Sequence, residues 1–139
     1  MNSIQTSIEI SATPQKVWGV FSDFASYPKW SSFIEQIEGS RLKLKLKQPN
    51  HNKGVEFTPL LLKVEPNKEF RWLGKLGGIP FLFVGEHYFL FENSDQGTKL
   101  THGEEFQGLL VPLLTKMLKE TKVGLENFNL ALKQRVEKM

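Results

Sequence analysis

"ISATPQKVWGVFSDFASYPKW", residues 10–30, changes its hydrophobic period twice. Upstream, Ser3 to Ser11 alternates polar and apolar residues, with Ile4, Ile8 and Ile10 on one parity, the pattern of a half-buried strand. At Thr13-Pro14 the period turns helical: a hydroxyl stands where it can cap, and proline takes the first helical position, where its missing N–H costs nothing. Val17, Trp18, Val20 and Phe21 form a short apolar stripe that Ser22 and Asp23 interrupt. Pro28 is expected to push Tyr27 out of helical angles, with a second short turn around Phe24 to Tyr27. Connections usually run over the surface and carry small polar residues. Phe21, Phe24, Tyr27 and Trp30 in one connection therefore point to a plug that closes one end of an internal pocket.

Beyond Trp30 the chain is β-rich. Expected strands are Phe33 to Glu38, Arg41 to Gln48, Gly54 to Val64, Glu69 to Lys75, Phe81 to Glu92 and Thr98 to Gln107. Turn residues separate them: Gly39-Ser40, Pro49-Asn50-His51-Asn52, Glu65-Pro66-Asn67-Lys68, Gly77-Gly78-Ile79-Pro80 and Asn93-Ser94-Asp95-Gln96-Gly97. Such short connections make the strands antiparallel neighbours, because a parallel crossover needs about a dozen residues or more. Near Pro112 the helical period returns. Leu114, Met117 or Leu118, Leu125, Phe128, Leu132 and Val136 recur at three, four or seven, which describes one long amphipathic helix. No linker or repeat divides the 139 residues, so the expectation is a single α+β domain in which a curved antiparallel sheet of about seven strands wraps around the C-terminal helix, with two short helices after the first strand.

A chain of this length removes roughly 70% of its unfolded surface from water and needs no staple. There is no cysteine, which excludes disulfides, thiolate zinc sites and cysteine nucleophiles. No stretch approaches the roughly 20 apolar residues of a membrane span, and the N-terminus alternates instead of showing a basic patch before an apolar run. A cytoplasmic protein with no stable membrane insertion is the default. The net charge of +3 comes partly from "RLKLKLK" at 41–47, read as a strand with one leucine face and one lysine face that discourages edge-to-edge pairing. A nucleic-acid surface would also want aromatics interleaved with the basic residues, and none are there.

The chain resembles the helix-grip superfamily (SRPBCC) of START lipid-transfer domains, the birch pollen allergen group and bacterial aromatase/cyclases, in particular its bacterial polyketide cyclase/dehydrase-like branch. The resemblance spans nearly the whole chain, residues 1–139 as a single START-like domain. It is carried by the quoted stretch, by "FRWLGKLGGIPFLFVGEH" from Phe70, "HYFLFE" at 87–92, "GTKLTHGEEFQGLL" at 97–110 and "LENFNLALKQRVE" from Leu125. Where the family often shows Trp-Asn-Pro, this chain has Trp30-Ser31-Ser32. The resemblance implies a cavity between sheet and helix. Members of the superfamily handle many unrelated ligands, so it implies no particular activity.

If strand alternation holds, His87, Phe89 and Phe91 share one face, and Leu100, His102, Glu104 and Phe106 share the facing one; the resemblance turns both toward the cavity. Glu104 is a carboxylate on an otherwise apolar face, with Arg71, His87 or His102 as its expected partner. Glu104, His87 and His102 are the candidates for acid–base work, against the plainer reading of structural hydrogen bonds. A two-histidine, one-carboxylate metal site has no compact ligand motif behind it, and neither metal nor cofactor is expected. Gly77-Gly78 read as a flexible strand connection or a gate loop.

Eleven phenylalanines and three tryptophans exceed what a small sheet needs to pack one helix, which favours an aromatic-lined pocket over a solid core. Gly124 in the long helix is read as leaving room for ligand or a bend. The expected function is binding of a small hydrophobic or amphipathic ligand: a lipid, a polyketide-like aromatic or an isoprenoid. Phe24, Tyr27, Trp30, Phe33, Trp72, Phe81, Phe89, Phe106, Leu114, Leu118 and Leu125 would supply its walls, and His87, His102 and Glu104 its polar contacts. Two alternatives stay open: a cyclase, dehydratase or hydrolase using Glu104 with a histidine, and a protein- or membrane-interaction module. Oligomeric state is not readable from the sequence.

Overall fold

The computed structural model describes residues 3–38, 43–47, 49, 54–75 and 82–139. The chain runs β1 (Ser3–Ile10), α1 (Pro14–Phe21), a 3-10 turn (Phe24–Ser26), α2 (Tyr27–Trp30), β2 (Ile34–Glu38), β3 (Lys43–Leu46), β4 (Val55–Phe57), β5 (Leu60–Glu65), β6 (Glu69–Lys75), β7 (Val84–Ser94), β8 (Gly97–Gln107), a second 3-10 turn (Val111–Leu113) and α3 (Thr115–Glu137). All pairing is antiparallel. The curved β layer has two hydrogen-bonded parts, β1-β8-β7-β6-β5 and β2-β3-β4, and it holds α3 against its inner face. This is the α+β helix-grip architecture.

The stretch 54–64, expected as one strand, is two, β4 and β5. Pro59 lies in the gap between them, and a residue without an N–H cannot continue the ladder. The lysine-rich strand also sits differently from expectation. β3 is the middle strand of its group, so its lysines guard no edge, although Leu44 is buried and Lys43 exposed as alternation requires. The expected turns at 39–40 and 50–52, the connection at 77–80 and Phe81 lie outside the described residues.

α1 begins as its sequence dictates, with Thr13 Oγ1 accepting from the Lys16 N–H at 3.2 Å and Pro14 in the first turn. Tyr27 differs from expectation: it has helical angles, φ −54° and ψ −41°, despite the proline after it. Pro28 lies in the first turn of α2, where no intrahelical donor is lost. Burial then holds Tyr27 in place, and its hydroxyl donates to the Phe21 carbonyl at 2.6 Å.

The core is largely aromatic. Phe21 meets the rings of Phe24, Tyr27, Phe70, Phe89, Phe91 and Phe128 at centroid separations of 4.8 to 6.5 Å, in mostly edge-on or tilted geometry. Trp30 leans on Tyr27 at 4.8 Å and on Phe128 at 5.3 Å. The 21–30 segment thus packs inward against both the sheet and α3. Among the described residues no helix is long and apolar enough to cross a membrane.

Candidate functional site

Residues directly opposite one another in antiparallel strands share a face, so the register writes out the inner surface of the five-stranded part row by row. One row is Leu61, Trp72, His87, Glu104 and Ile4, and the next is Val64, Phe70, Phe89, His102 and Thr6. On the other side of the first row lie Gly74, Gly85 and Phe106. His87, His102 and Glu104 therefore meet on the concave face. Arg71 does not join them; it lies on the opposite face, paired with Glu69 at 2.8 Å and Glu86 at 2.6 Å and resting over the Tyr88 ring.

A continuous hydrogen-bonded chain crosses this face. Glu104 Oε1 lies 3.2 Å from His87 Nδ1, and His87 Nε2 lies 2.6 Å from His102 Nε2. His102 Nδ1 lies 2.8 Å from Asn129 Oδ1 on α3; Asn129 Nδ2 donates to Thr6 Oγ1 at 2.8 Å, and that hydroxyl donates to the His102 carbonyl at 2.7 Å. The imidazoles are held flat. His87 stacks on Trp72 at 4.3 Å and 13°, and His102 on Phe89 at 4.0 Å and 24°. Both histidines, Asn129 and Thr6 are buried; the Glu104 side chain is 17% exposed and is where the chain reaches solvent.

The chain has a direction. The Thr6 hydroxyl gives its proton to the His102 carbonyl, so it receives from the Asn129 amide, and Asn129 Oδ1 is left to accept from His102. His102 thus carries its proton on Nδ1, and Nε2 accepts from His87 Nε2–H. Burial, and after it the neighbouring His87, hold the His102 ring well below the usual imidazole range, with the bond to Asn129 opposing. With His87 Nε2 committed as a donor, its Nδ1 is left facing Glu104 Oε1 at 3.2 Å.

The imidazoles spend their facing nitrogens on each other, which explains why they do not converge on an ion. Among the described residues no group of three or more histidine, aspartate or glutamate side chains is arranged to hold a metal.

Of the remaining residues expected around a ligand, Tyr27, Phe33, Trp72, Phe89, Phe106, Leu118 and Leu125 are buried, and Phe24, Trp30 and Leu114 are half-buried. Gly124 does not leave open space: a Cβ there would collide with the ring of Phe33. A cleft of about 350 Å³ lies elsewhere, at the C-terminal end of α3 between Trp30, Ala131, Gln134, Arg135, Lys138 and Met139. Trp30 borders it, but the Glu104 chain does not. Two residues of the site escape a reading of the sequence. Thr6 shares the parity of Ile4, Ile8 and Ile10, and Asn129 follows Phe128 on the apolar stripe of α3, so a polar residue on an apolar face is the available signal for both.

Residues 1–137 match the family described as polyketide cyclase / dehydrase and lipid transport. The chain belongs to this family. Solved structures agree with the polyketide cyclase/dehydrase and lipid transport fold over nearly the whole chain. A START superfamily protein from Mycobacterium smegmatis superposes with a TM-score of 0.72 at 20% identity, covering 99% of each chain. The Zhui aromatase/cyclase from Streptomyces sp. R1128 gives 0.75 at 13% identity, over 98% of this chain and 93% of that one. A protein from Thermus thermophilus gives 0.73 at 16% identity, over 98% and 97%. At these identities the likeness is one of fold. No curated protein sequence matches the chain.

Proposed function

We propose that the protein binds a small hydrophobic or amphipathic molecule between the sheet and α3, with the aromatic residues of the inner face as walls and Glu104 as the polar contact. The observation that carries this reading is the Glu104 chain itself: five polar side chains are ordered across a wall that is otherwise apolar, and they end in a carboxylate open at one side. Burying such a set is costly compared with an apolar core of the same volume. Membership of a family whose description includes lipid transport, and the likeness in fold to an aromatase/cyclase, support a ligand of this kind. Mass spectrometry of small molecules extracted from protein purified out of its own host tests it. Recovery of one apolar compound in stoichiometric amount is expected; recovery of none, with no apolar probe taken up by the emptied protein, would sink the reading.

The 3.2 Å contact between His87 Nδ1 and Glu104 Oε1 favours one second reading, an enzyme of cyclase, dehydratase or hydrolase type in which that pair is acid and base. Under it Glu104→Gln abolishes turnover of the extracted compound while the fold persists. Under the binding reading there is no turnover to lose.

A further inference from the structure

Between Glu105 and Glu120 the sequence holds no acidic residue, and its only charges are Lys116 and Lys119. This stretch carries the chain from the end of β8 into α3, and its leucines do not turn inward. Leu109 is 72% and Leu113 79% exposed, Pro112 is exposed between them, and of residues 109–114 only Val111 is buried. Loose packing does not explain the exposure. The Leu110 N–H donates to the Leu82 carbonyl at 3.0 Å, and those of Val111, Leu113 and Leu114 donate to the carbonyls of Gly108, Leu110 and Val111. Gly108, at φ +123°, lets the turn lie against the Leu82 carbonyl, where a Cβ would collide. The apolar tip is thus tied to the segment before β7. Every N–H from 110 to 114 has an internal partner, proline having none to place, and that is the condition for setting a turn in an apolar medium.

The charges beside the tip have one sign. Lys116 and Lys119, three apart on α3, are exposed, and Lys75, also exposed, ends β6 in the row of Val84 and Gln107 at the same end of the sheet. Among the described residues none of the three lysines forms an ion pair. α3 has no acidic residue in its first turn and no side-chain cap, so Lys116 adds to the positive end of the helix dipole, an arrangement that costs stability unless an anion offsets it. We infer that this tip docks on a bilayer surface containing anionic lipid, with Leu109 and Leu113 among the upper acyl chains and Lys75, Lys116 and Lys119 against the headgroups. Two weak signals, apolar burial and charge attraction, combine into reversible attachment. A second copy of the chain suits the tip less well, because a symmetric contact would bring like charges together. The docking surface is separate from the Glu104 chain and does not depend on what the interior binds.

Vesicle flotation with the full chain tests this. Vesicles of phosphatidylcholine with about one third phosphatidylglycerol should bind the protein about tenfold or more strongly than phosphatidylcholine alone, and added salt should weaken that binding. Leu109→Ser with Leu113→Ser should reduce binding to the anionic vesicles by about tenfold or more. Both side chains are exposed, so the variant should keep the circular dichroism of the parent. Lys116→Gln with Lys119→Gln should remove most of the preference for anionic lipid. Leu130→Ser, also at an exposed leucine but further along α3, should leave binding unchanged. Absence of binding to either vesicle would overturn the proposal, as would equal losses in the tip variant and the Leu130 variant. Equal binding to the two vesicles would overturn the part given to the lysines. A concentration-dependent dimer that the leucine substitutions abolish, with no vesicle binding, would assign the tip to a second copy instead.

Discussion

The ring of Phe33 occupies the space in which a side chain at Gly124 would begin. Phe33 is buried, so the ring has little freedom to move aside. Gly124→Ala gains about 1 kcal/mol of helix propensity but forces an overpacked contact that costs about 1–3 kcal/mol. A net loss of stability is expected in denaturant titration. In a Phe33→Leu background the same substitution should turn neutral or stabilising, and stabilisation of the parent protein by Gly124→Ala would show that the contact is not tight.

Asn129 joins α3 to both edges of the site. Its replacement by leucine leaves a donor on His102 and the Thr6 hydroxyl without their buried partner, and each unpaired group costs about 1–3 kcal/mol. Asn129→Leu should therefore destabilise by about 2 kcal/mol or more. The control is Leu130, next in sequence and exposed; Leu130→Asn should change stability by less than about 0.5 kcal/mol. Equal effects at the two positions would remove Asn129 from the chain.

His102 refuses a proton that the unfolded chain accepts near the ordinary imidazole value of 6.5. The unfolded state then binds more protons below that value, so stability falls as pH drops through about 6.5 toward the depressed native pKa, at up to about 1.4 kcal/mol per pH unit. Thermal midpoints measured across mildly acidic pH should show this slope, and His102→Gln should flatten it. Ring nitrogen NMR should find His102 neutral with its proton on Nδ1; a proton on Nε2 would reverse the direction assigned to the whole chain.

The protein has two tyrosines, and both phenols are shifted upward, Tyr27 by burial and then Asp23, Tyr88 by burial and then Glu105. Folded protein keeps these protons above about pH 10 and the unfolded chain does not, so they contribute stability that is lost as pH rises beyond about 10. Phenolate absorbance should stay low through that point and rise together with loss of helical signal. A simple titration near the ordinary phenol value in folded protein would contradict the burial of Tyr27.

Strand alternation is enough to place His87, His102, Glu104 and Phe106 on one face, because side-chain direction in a strand depends only on parity. The partner of Glu104 is harder. Arg71, His87 and His102 are equally open to it until the register pairs Trp72 with His87 and puts Arg71 on the other surface. Residues 6 and 129 show in the sequence only as single polar side chains on apolar faces, and their role is not legible because each partner is remote along the chain. Pro28 misleads about Tyr27 because a buried ring and a hydroxyl bond outweigh a local dihedral preference. Gly124 suggests free volume, and only packing reveals that Phe33 fills it.

The bond between residues 6 and 129 spans nearly the full chain, and so do those from Ser11 to Glu137 and from Lys133 to Glu9. Contacts of such separation close the largest loops the polypeptide can form, and they follow the local hairpins in time. β7 and β8 can bring Glu104, His87 and His102 together early, but His102 has no fixed tautomer until α3 docks. The protonation pattern of the site thus depends on the longest-range contacts of the fold and not on the β7–β8 hairpin alone.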